Sequence, residues 1–314
     1  MKFIGFNSIA VFVVAIFGFG LTGMAQENKT PPLPADVIIW QPVDIRSRDV
    51  LRGPTSEGIA PALDNVKFLG RQTGGNNLKY RIEDANGNEW VVKIADESQA
   101  EVAATRLIWA LGYRTEIDHI VPRISIEKIG NYKNARFEGR PKTIKRGERW
   151  SWTNHPHTGT KEFDGLRIMM AFVNNWDLKD ENNIIIEDGG KSYLVVSDLG
   201  SSFGKLADKS KSRSGRSVNE PEDFAKAGFV KGVNNGIIEL DYRGMGEDNL
   251  KGIKVENARW LADLLLQLTD KQISDAFRAA NYSNEDVNLY TAAVKARISA
   301  LDNATKQAVA ETSN

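Results

Sequence analysis

The sequence predicts an α+β fold with a strand-rich N-terminal part and a larger, mainly helical C-terminal part. Two short apolar runs, residues 78–82 and 90–94, flank a turn-rich segment, which is typical of a β-hairpin. One helical pattern follows this hairpin, and three more fill the chain after residue 257. With 314 residues, 41% of them hydrophobic, the chain can form one two-lobed domain or two small ones.

The N-terminus has the order of a secretory signal. Lys2 precedes an apolar run at residues 9–21, and the small residues Gly23 and Ala25 flank Met24. We therefore expect cleavage after Ala25 and export to the periplasm or the exterior. An uncleaved anchor is the alternative, because the run approaches the lower limit of a spanning helix. No later segment is apolar enough to span a membrane, so we expect no membrane span in the mature chain.

Composition excludes several function classes. The 41 basic and 41 acidic residues give zero formal net charge, so a bulk electrostatic partner such as nucleic acid is not expected. The absence of cysteine excludes disulfides, cysteine-based zinc sites and a lipid anchor on an N-terminal cysteine. His155 and His157 flank Pro156, which predicts a surface turn rather than a metal site.

Residues 26–62 are punctuated by proline and glycine and predict an extended arm. Its apolar piece, residues 37–40, is expected to pack on the strand-rich part as an extra strand or tether. That part is predicted to span residues 63–136. Residues 84–87 form the turn of its hairpin, and Lys93 lies on the strand that follows.

The helix after Lys93 has recognisable start and stop signals. Ser98 suits an N-cap, Glu101 suits the third helical position, and Gly112 suits the stop. Its buried face is predicted to contain Ala104, Leu107, Ile108 and Leu111. Glu101 lies near that face. Residues 121–129 alternate in hydropathy and predict a neighbouring strand.

The C-terminal part is predicted to span residues 137–306, followed by a disordered tail at 307–314. Residues 137–159 would connect the two parts, and a helix begins at Lys161. A hairpin at 183–197 precedes a basic, serine-rich segment at 205–216, which could bind a phosphate or an acidic substrate, be phosphorylated, or be a solvated loop. Helices are expected at 258–266, from Thr269, and at 287–301.

Three polar residues around the hairpin suit phosphoryl transfer. Asp177 and Asn182 are five residues apart and can share one loop, and Asp198 follows an apolar strand. Phosphoryl transfer needs one carboxylate to orient the attacking hydroxyl, and an asparagine and a second aspartate to hold Mg²⁺. A plain polar loop followed by a turn is the alternative interpretation.

These residues resemble the protein-kinase-like superfamily. Its pattern H-R-D-L-K-x-x-N followed by D-F-G occurs here as N-W-D-L-K-D-E-N at 175–182 and D-L-G at 198–200. The resemblance implies a two-lobed fold, with a small β-rich N-lobe containing one αC-like helix and a larger helical C-lobe. It implies that Asp177 is the catalytic base, Lys179 the loop lysine, and Asn182 and Asp198 the metal ligands.

The resemblance also assigns the nucleotide contacts. Lys93 falls on the lysine that pairs with the α- and β-phosphates, and Glu101 on its helical partner, with Glu97 as the other candidate. Glu101 could instead only complete a capping box. Gly74 and Gly75 precede this strand and could let backbone N–H groups approach phosphates, or could form only a turn.

Two departures make the chain an atypical member. Asn175 replaces the histidine of the family pattern and Leu199 replaces its phenylalanine. Neither change removes a phosphate or metal contact. The resemblance implies transfer of the γ-phosphoryl group of ATP or another nucleoside triphosphate, with Mg²⁺ or Mn²⁺, to a hydroxyl acceptor that is a protein or a small molecule. The alternatives are an exported pseudokinase acting as a binding or scaffold module, since the exterior holds little ATP, and another nucleotide-dependent transfer such as adenylylation.

Overall fold

The N-lobe is a five-stranded antiparallel sheet with one helix. The structure, a computed structural model, describes residue 33 and residues 36–56, 59–73, 77–126, 130–153, 155–206 and 215–312. The sheet has the order β1-β2-β3-β5-β4. Its elements are β1 Lys67–Gln72, β2 Leu78–Glu83, β3 Glu89–Ile94, α1 Ser98–Ala110, β4 Asp118–Ile126 and β5 Gly130–Gly139.

The C-lobe is mainly helical, with two small sheets. β6, β7 and β8 form a three-stranded sheet, and β9 and β10 form a hairpin. Its elements are β6 Lys145–Arg146, α2 Lys161–Phe172, β7 Asn183–Asp188, β8 Lys191–Val196, α3 Pro221–Lys226, β9 Val230–Asn234, β10 Ile237–Leu240, α4 Val255–Leu265, α5 Asp270–Ala279 and α6 Asn284–Thr312. Residues 31–314 form one compact unit. The predicted α+β, two-lobed class is confirmed.

Helix α1 is buried between the sheet and the C-lobe. Ala104, Leu107, Ile108 and Leu111, the face predicted from the sequence, all belong to the larger hydrophobic core, which also contains residues of α2, α4, α5 and α6. The sheet has a second, smaller core that includes Trp90 and Phe137. Because α1 is buried on nearly every side, its position is fixed by both lobes.

The capping box, the alternative interpretation of Glu101, is not formed at the start of α1. The helix begins at Ser98 itself, Glu97 is the N-cap residue, and no side chain caps the first turn. The Ser98 hydroxyl donates to the Lys93 carbonyl instead, at 3.4 Å. Glu101 cannot complete a capping box because its carboxylate accepts from two cationic side chains.

The arm contacts both lobes: residues 37–40 pack on the N-lobe through Trp40, as predicted, and also pair with the C-lobe through Ile38. Ile38 forms a parallel bridge with Tyr193 of β8 in the C-lobe. Trp40 Nε1 donates to the Leu111 carbonyl just after α1, at 2.6 Å. Further along, Gln272 of α5 donates to the Ile45 carbonyl at 2.6 Å. The arm therefore fastens α1 to the C-lobe.

Other differences are local. α6 continues to Thr312, beyond residue 306, where the sequence led us to end the lobe. His155 is buried and stacks on Phe163, with ring centroids 4.0 Å apart, so the predicted surface turn is wrong at this residue.

The expected signal peptide, Gly74, Gly75 and residues 207–214 lie outside the described residues. Within the described ranges, none of the helices combines the length and the hydropathy needed to cross a membrane.

Candidate active site

Lys93 lies at the centre of a cluster of carboxylates beneath the sheet. Its side chain is 1% exposed, and its ammonium lies 2.9 Å from Glu101 Oε2 and 3.7 Å from Asp198 Oδ1. Glu97 Oε1 also contacts it. Among the described residues, Glu101 and Glu97, the two partners that the sequence suggested for Lys93, thus both contact its ammonium group. Asp198 of the C-lobe contacts the same group across the lobe boundary.

Arg136 supports this cluster from behind. It lies opposite Lys93 in the β3–β5 register, and its Nη1 donates to Glu101 Oε1 at 2.5 Å. The same guanidinium pairs with Glu138 at 2.7 Å and with Asp118 at 3.3 Å. Sequence reasoning missed Arg136. The signal was present in the alternation of β5, which puts Arg136 and Glu138 on one face of the strand.

The opposite charges within the cluster keep Lys93 protonated and Asp198 ionised. Burial alone would lower the pKa of Lys93, but the carboxylates of Glu101, Asp198 and Glu97 outweigh it and raise that pKa above its ordinary value. Burial alone would raise the pKa of Asp198, but Lys93 and Arg136 hold it below its ordinary value. At neutral pH the site therefore contains a cation that can bind phosphate and a charged carboxylate that can bind a metal ion.

Asn175 joins the loop of Asp177 to the Asp198 turn. Its side chain is fully buried; its Oδ1 accepts from the Asp177 backbone N–H at 3.1 Å, and its Nδ2 donates to the Asp198 carbonyl at 3.4 Å. The Asn175 carbonyl in turn accepts from the Tyr242 hydroxyl at 2.8 Å. Asn175 thus links the two acidic residues through hydrogen bonds.

Asp177, Lys179 and Asn182 face one another in the loop. Lys179 Nζ lies 2.8 Å from Asp177 Oδ1. Asn182 Nδ2 donates to the Asp177 carbonyl at 2.8 Å and to its Oδ2 at 3.3 Å. The backbone of Asp177 also forms a bridge with Met245. Lys179 and Asn182 thus fix the position of the Asp177 carboxylate. The side chain of Lys179 remains partly exposed, with 40% of its surface accessible.

The β7–β8 hairpin brings Asn182 close to Asp198. Asn183 pairs with Val196, and the Ser197 N–H donates to the Asn182 carbonyl at 2.7 Å. Asp198 follows directly, and its Oδ1 accepts from the Gly200 N–H at 3.2 Å. The two predicted metal ligands therefore lie at the same open end of one hairpin.

The oxygen atoms fit a hard divalent cation. One carboxylate oxygen each from Glu97, Glu101 and Asp198 lie within 4.8 Å of one another. Mg²⁺ and Mn²⁺ prefer such ligands. Glu101 is occupied by Lys93 and Arg136, whereas Asp198 and Glu97 are 39% and 21% exposed. Glu97 is therefore a candidate ligand that sequence reasoning missed, with its i, i+4 spacing from Lys93 as the available signal.

Leu199 and Gly200 adapt the turn to its surroundings. Leu199 is buried in the larger core, which is the packing role expected for the phenylalanine it replaces. Gly200 lies against Glu97, where an added Cβ would stand 2.9 Å from the Glu97 Cδ. A larger residue at position 200 would push Glu97 away from Lys93.

Comparisons with known proteins add the following. No family model matches the sequence, and neither does any curated protein. Among solved structures, a Helicobacter pylori proinflammatory kinase, CtkA, is 10% identical with a TM-score of 0.48, covering 79% of this chain and 99% of that one. The Golgi casein kinase is 11% identical with a TM-score of 0.42, covering 78% and 73%. Its form with Mn/ADP bound is 11% identical with a TM-score of 0.40, covering 76% and 74%.

The element order and the side-chain geometry of this chain define the fold class. A five-stranded antiparallel sheet carries Lys93, one helix carries Glu101, and a mainly helical lobe carries the Asp177 loop and the Asp198 turn. With asparagine at 175 and leucine at 199, the chain has an atypical protein-kinase-like fold.

Proposed function

We propose that this chain is an exported phosphotransferase that moves the γ-phosphoryl group of ATP, or a related nucleoside triphosphate, to a hydroxyl acceptor with Mg²⁺ or Mn²⁺. The observation that carries the proposal is the contact at 3.7 Å between Lys93 of the N-lobe and Asp198 of the C-lobe. It brings together a cation that would bind phosphate and a carboxylate that would bind a metal ion, at the open end of the hairpin that follows the Asp177 loop.

The N-lobe residues would bind and orient the nucleotide. Lys93 would exchange carboxylate contacts for oxygens of the α- and β-phosphates, while Glu101 and Arg136 hold its side chain in place. Asp198 and Asn182, with Glu97 nearby, would hold the divalent cation. When bound, that cation neutralises the phosphate charge.

The C-lobe loop would act on the acceptor. Asp177 would orient the acceptor hydroxyl and take its proton as the oxygen bonds to the γ-phosphorus. The bond from the γ-phosphorus to the β–γ bridging oxygen breaks, and that oxygen leaves on the nucleoside diphosphate. Lys179, 2.8 Å from Asp177, is suited to offset charge on the transferred group.

A binding module without turnover is the second candidate, and one observation favours it. An ammonium group has three N–H donors, and Lys93 contacts three carboxylates among the described residues. The site is thus electrostatically satisfied without a nucleotide. Phosphate binding requires that Glu97 or Asp198 release Lys93, for example by moving to a metal ion.

The deciding experiment measures binding and transfer on the same protein. Mature protein is titrated with ATP in a calorimeter, with and without Mg²⁺ or Mn²⁺, and then incubated with labelled ATP and a panel of protein and small-molecule acceptors. We expect metal-dependent binding and transfer. Asp198→Ala should abolish metal-dependent binding, because it removes the partly exposed carboxylate that would hold the cation. Asp263→Ala, which removes an exposed carboxylate on α4, is the matched control.

The outcomes separate the two candidates. Metal-dependent binding without transfer or hydrolysis would favour the binding module. Equal affinity in wild type and Asp198→Ala would remove Asp198 from the site. No nucleotide binding under any metal condition would contradict both.

A further inference from the structure

Lys79 of β2 lies directly opposite Lys93 of β3 in the register of the N-lobe sheet. Residues paired in this way project from the same face of a sheet, with Cβ atoms about 4.5–5.5 Å apart. Arg136 of β5, on the other side of Lys93, shares the face for the same reason. The side chain of Lys79 is half-buried. The face of the sheet that carries Lys93 therefore carries a second lysine beside it.

Lys79 differs from the other cations of the site in its partners. Lys93, Arg136 and Lys179 each pair with at least one carboxylate. Within the described ranges, Lys79 forms no ion pair, and its ammonium group forms no hydrogen bond. The site thus contains three cations that are already engaged and a fourth, Lys79, whose donors are available to a ligand.

Two lysines that face each other across a strand pair repel when no ligand is bound. Like charges directly opposite each other destabilise a sheet. The carboxylates around Lys93 compensate its charge, whereas none of the described carboxylates pairs with Lys79. A ligand with several negative charges would attract both ammonium groups and offset the repulsion between them. The arrangement therefore fits a polyanion, such as the phosphates of a nucleoside triphosphate.

The charge of Lys79 also acts on Asp198, across the lobe boundary. Burial alone would raise the pKa of Asp198, and Lys93 and Arg136 oppose this effect most strongly. The charge of Lys79 lowers the same pKa further. Salt and water weaken such effects with distance, so Lys79 lies near the turn that would hold the metal ion. One triphosphate could therefore contact both the Lys79 ammonium and a cation on Asp198.

We propose that Lys79 is a second phosphate-binding residue, which pairs with the triphosphate of the nucleotide while Lys93 stays bound to Glu101. The inference rests on the proposed phosphotransferase function and adds a residue to its nucleotide site. Phosphate can bind first at Lys79, before Glu97 or Asp198 releases Lys93. Lysine suits this role because its ammonium group is a compact charge with three donors on a flexible stem.

The test measures phosphate binding and needs no turnover. Wild type and variants of the mature chain are titrated in a calorimeter with a non-hydrolysable ATP analogue and with inorganic triphosphate, each in the presence of Mg²⁺. Lys79→Gln should weaken the binding of both ligands at least about tenfold, because a charged hydrogen bond to phosphate is lost. Lys79→Arg keeps the charge and should retain most of the affinity. Lys67→Gln, which removes an exposed lysine of β1 in the same sheet, is the matched control and should bind as wild type does.

Thermal denaturation separates this role from a structural one. Lys79→Gln removes no ion pair with a described residue, so its Tm should differ from that of wild type by less than about 2 °C. A lysine that only supported the sheet would lower Tm and ligand affinity together. Lys79→Met, which keeps the unbranched stem, replaces Lys79→Gln if that variant fails to fold.

Each outcome decides the inference separately from the transfer reaction. If the analogue binds in a Lys79-dependent way but labelled ATP gives neither transfer nor hydrolysis, the role of Lys79 stands and the phosphotransferase proposal fails. If folded Lys79→Gln binds the analogue as tightly as wild type, the inference is overturned even where transfer is observed. If inorganic triphosphate binds through Lys79 and the analogue does not bind, the site serves a polyphosphate and the nucleotide is wrong. Wild type that binds neither ligand overturns the inference.

Discussion

Glu101 and Glu97 contact the same ammonium group but should contribute very differently to stability. Glu101 is 1% exposed and accepts from Lys93 at 2.9 Å and from Arg136 at 2.5 Å. Glu97 is 21% exposed and contacts Lys93 and Asn77. The test replaces each glutamate with glutamine, which keeps the shape and cannot carry the negative charge. Burial raises the pKa of Glu101 to about 8, against the opposing effect of Arg136 and Lys93, so the comparison is made at pH 9, where Glu101 is ionised.

The expected losses follow from burial. Removing one partner of a buried ion pair typically costs about 3–5 kcal/mol, because the remaining charge is left uncompensated. In Glu101→Gln, Arg136 keeps Glu138 and Asp118, and Lys93 keeps Glu97 and Asp198, so we expect the lower limit, about 3 kcal/mol. Glu97→Gln removes a partly exposed pair and should cost about 1 kcal/mol or less.

Urea denaturation, monitored by circular dichroism, gives the free energy of unfolding of each variant. In a thermal scan of the mature chain, Glu101→Gln should lower Tm by about 5 °C and Glu97→Gln by about 2 °C or less. In calorimetry, Glu97→Gln should weaken the metal dependence of ATP binding, because Glu97 is the exposed candidate ligand. Equal stability losses in the two variants would refute the reasoning from burial, and so would a Glu101→Gln protein as stable as wild type.

Three further predictions concern other parts of the chain. Asp177→Asn should lower turnover by about 10²–10⁴ with little change in the ATP dissociation constant, since base action is expressed in the transition state; steady-state kinetics beside calorimetry measures both, and equal turnover would remove Asp177 from catalysis. Burial, aided by the charge of His157, lowers the pKa of His155 from 6.5 to about 4. Because the unfolded chain takes up this proton first, the contribution of His155 to stability should fall by about 3 kcal/mol as the pH drops from 6.5 to 4. His155→Phe should remove this part of the loss in urea titrations at the two pH values, while the contribution of His119, whose pKa burial also lowers to about 4, remains; a loss equal to that of wild type would mean that His155 does not titrate in this range. The mature chain should begin at Gln26, which mass spectrometry of protein from its native host would show, whereas an intact N-terminus in the membrane fraction would indicate an anchor.

The sequence was most informative where neighbouring residues in the chain also meet in space. The loop containing Asp177 and Asn182, the hairpin that leads to Asp198, and the helical spacing of α1 are all local patterns, and the structure has each of them. The capping-box pattern of Thr269 and Gln272 at the start of α5 is equally local, and the two residues exchange hydrogen bonds.

The missed features depend on residues that are distant in sequence. Arg136 reaches Glu101 from 35 residues away, so no window around either residue reveals the pair. Arg136 also explains why the capping box of α1 is not formed, because it engages the carboxylate that this alternative assigned to the helix terminus. His155 looked like part of a polar turn, and only the folded chain supplies the rings of Phe163 and Trp150 that pack against it.

The arm has a consequence for how the chain folds. Ile45 and its partner Gln272 are separated by 227 residues, and Ile38 pairs with Tyr193. At synthesis rates of about 5–20 residues per second, the arm would wait roughly 10–45 s for Gln272 to be made. Contacts of such long sequence separation form slowly because the loop between them must first be ordered. The arm should therefore dock late, and until then α1, with Glu101, is held to the C-lobe by fewer contacts than in the finished protein.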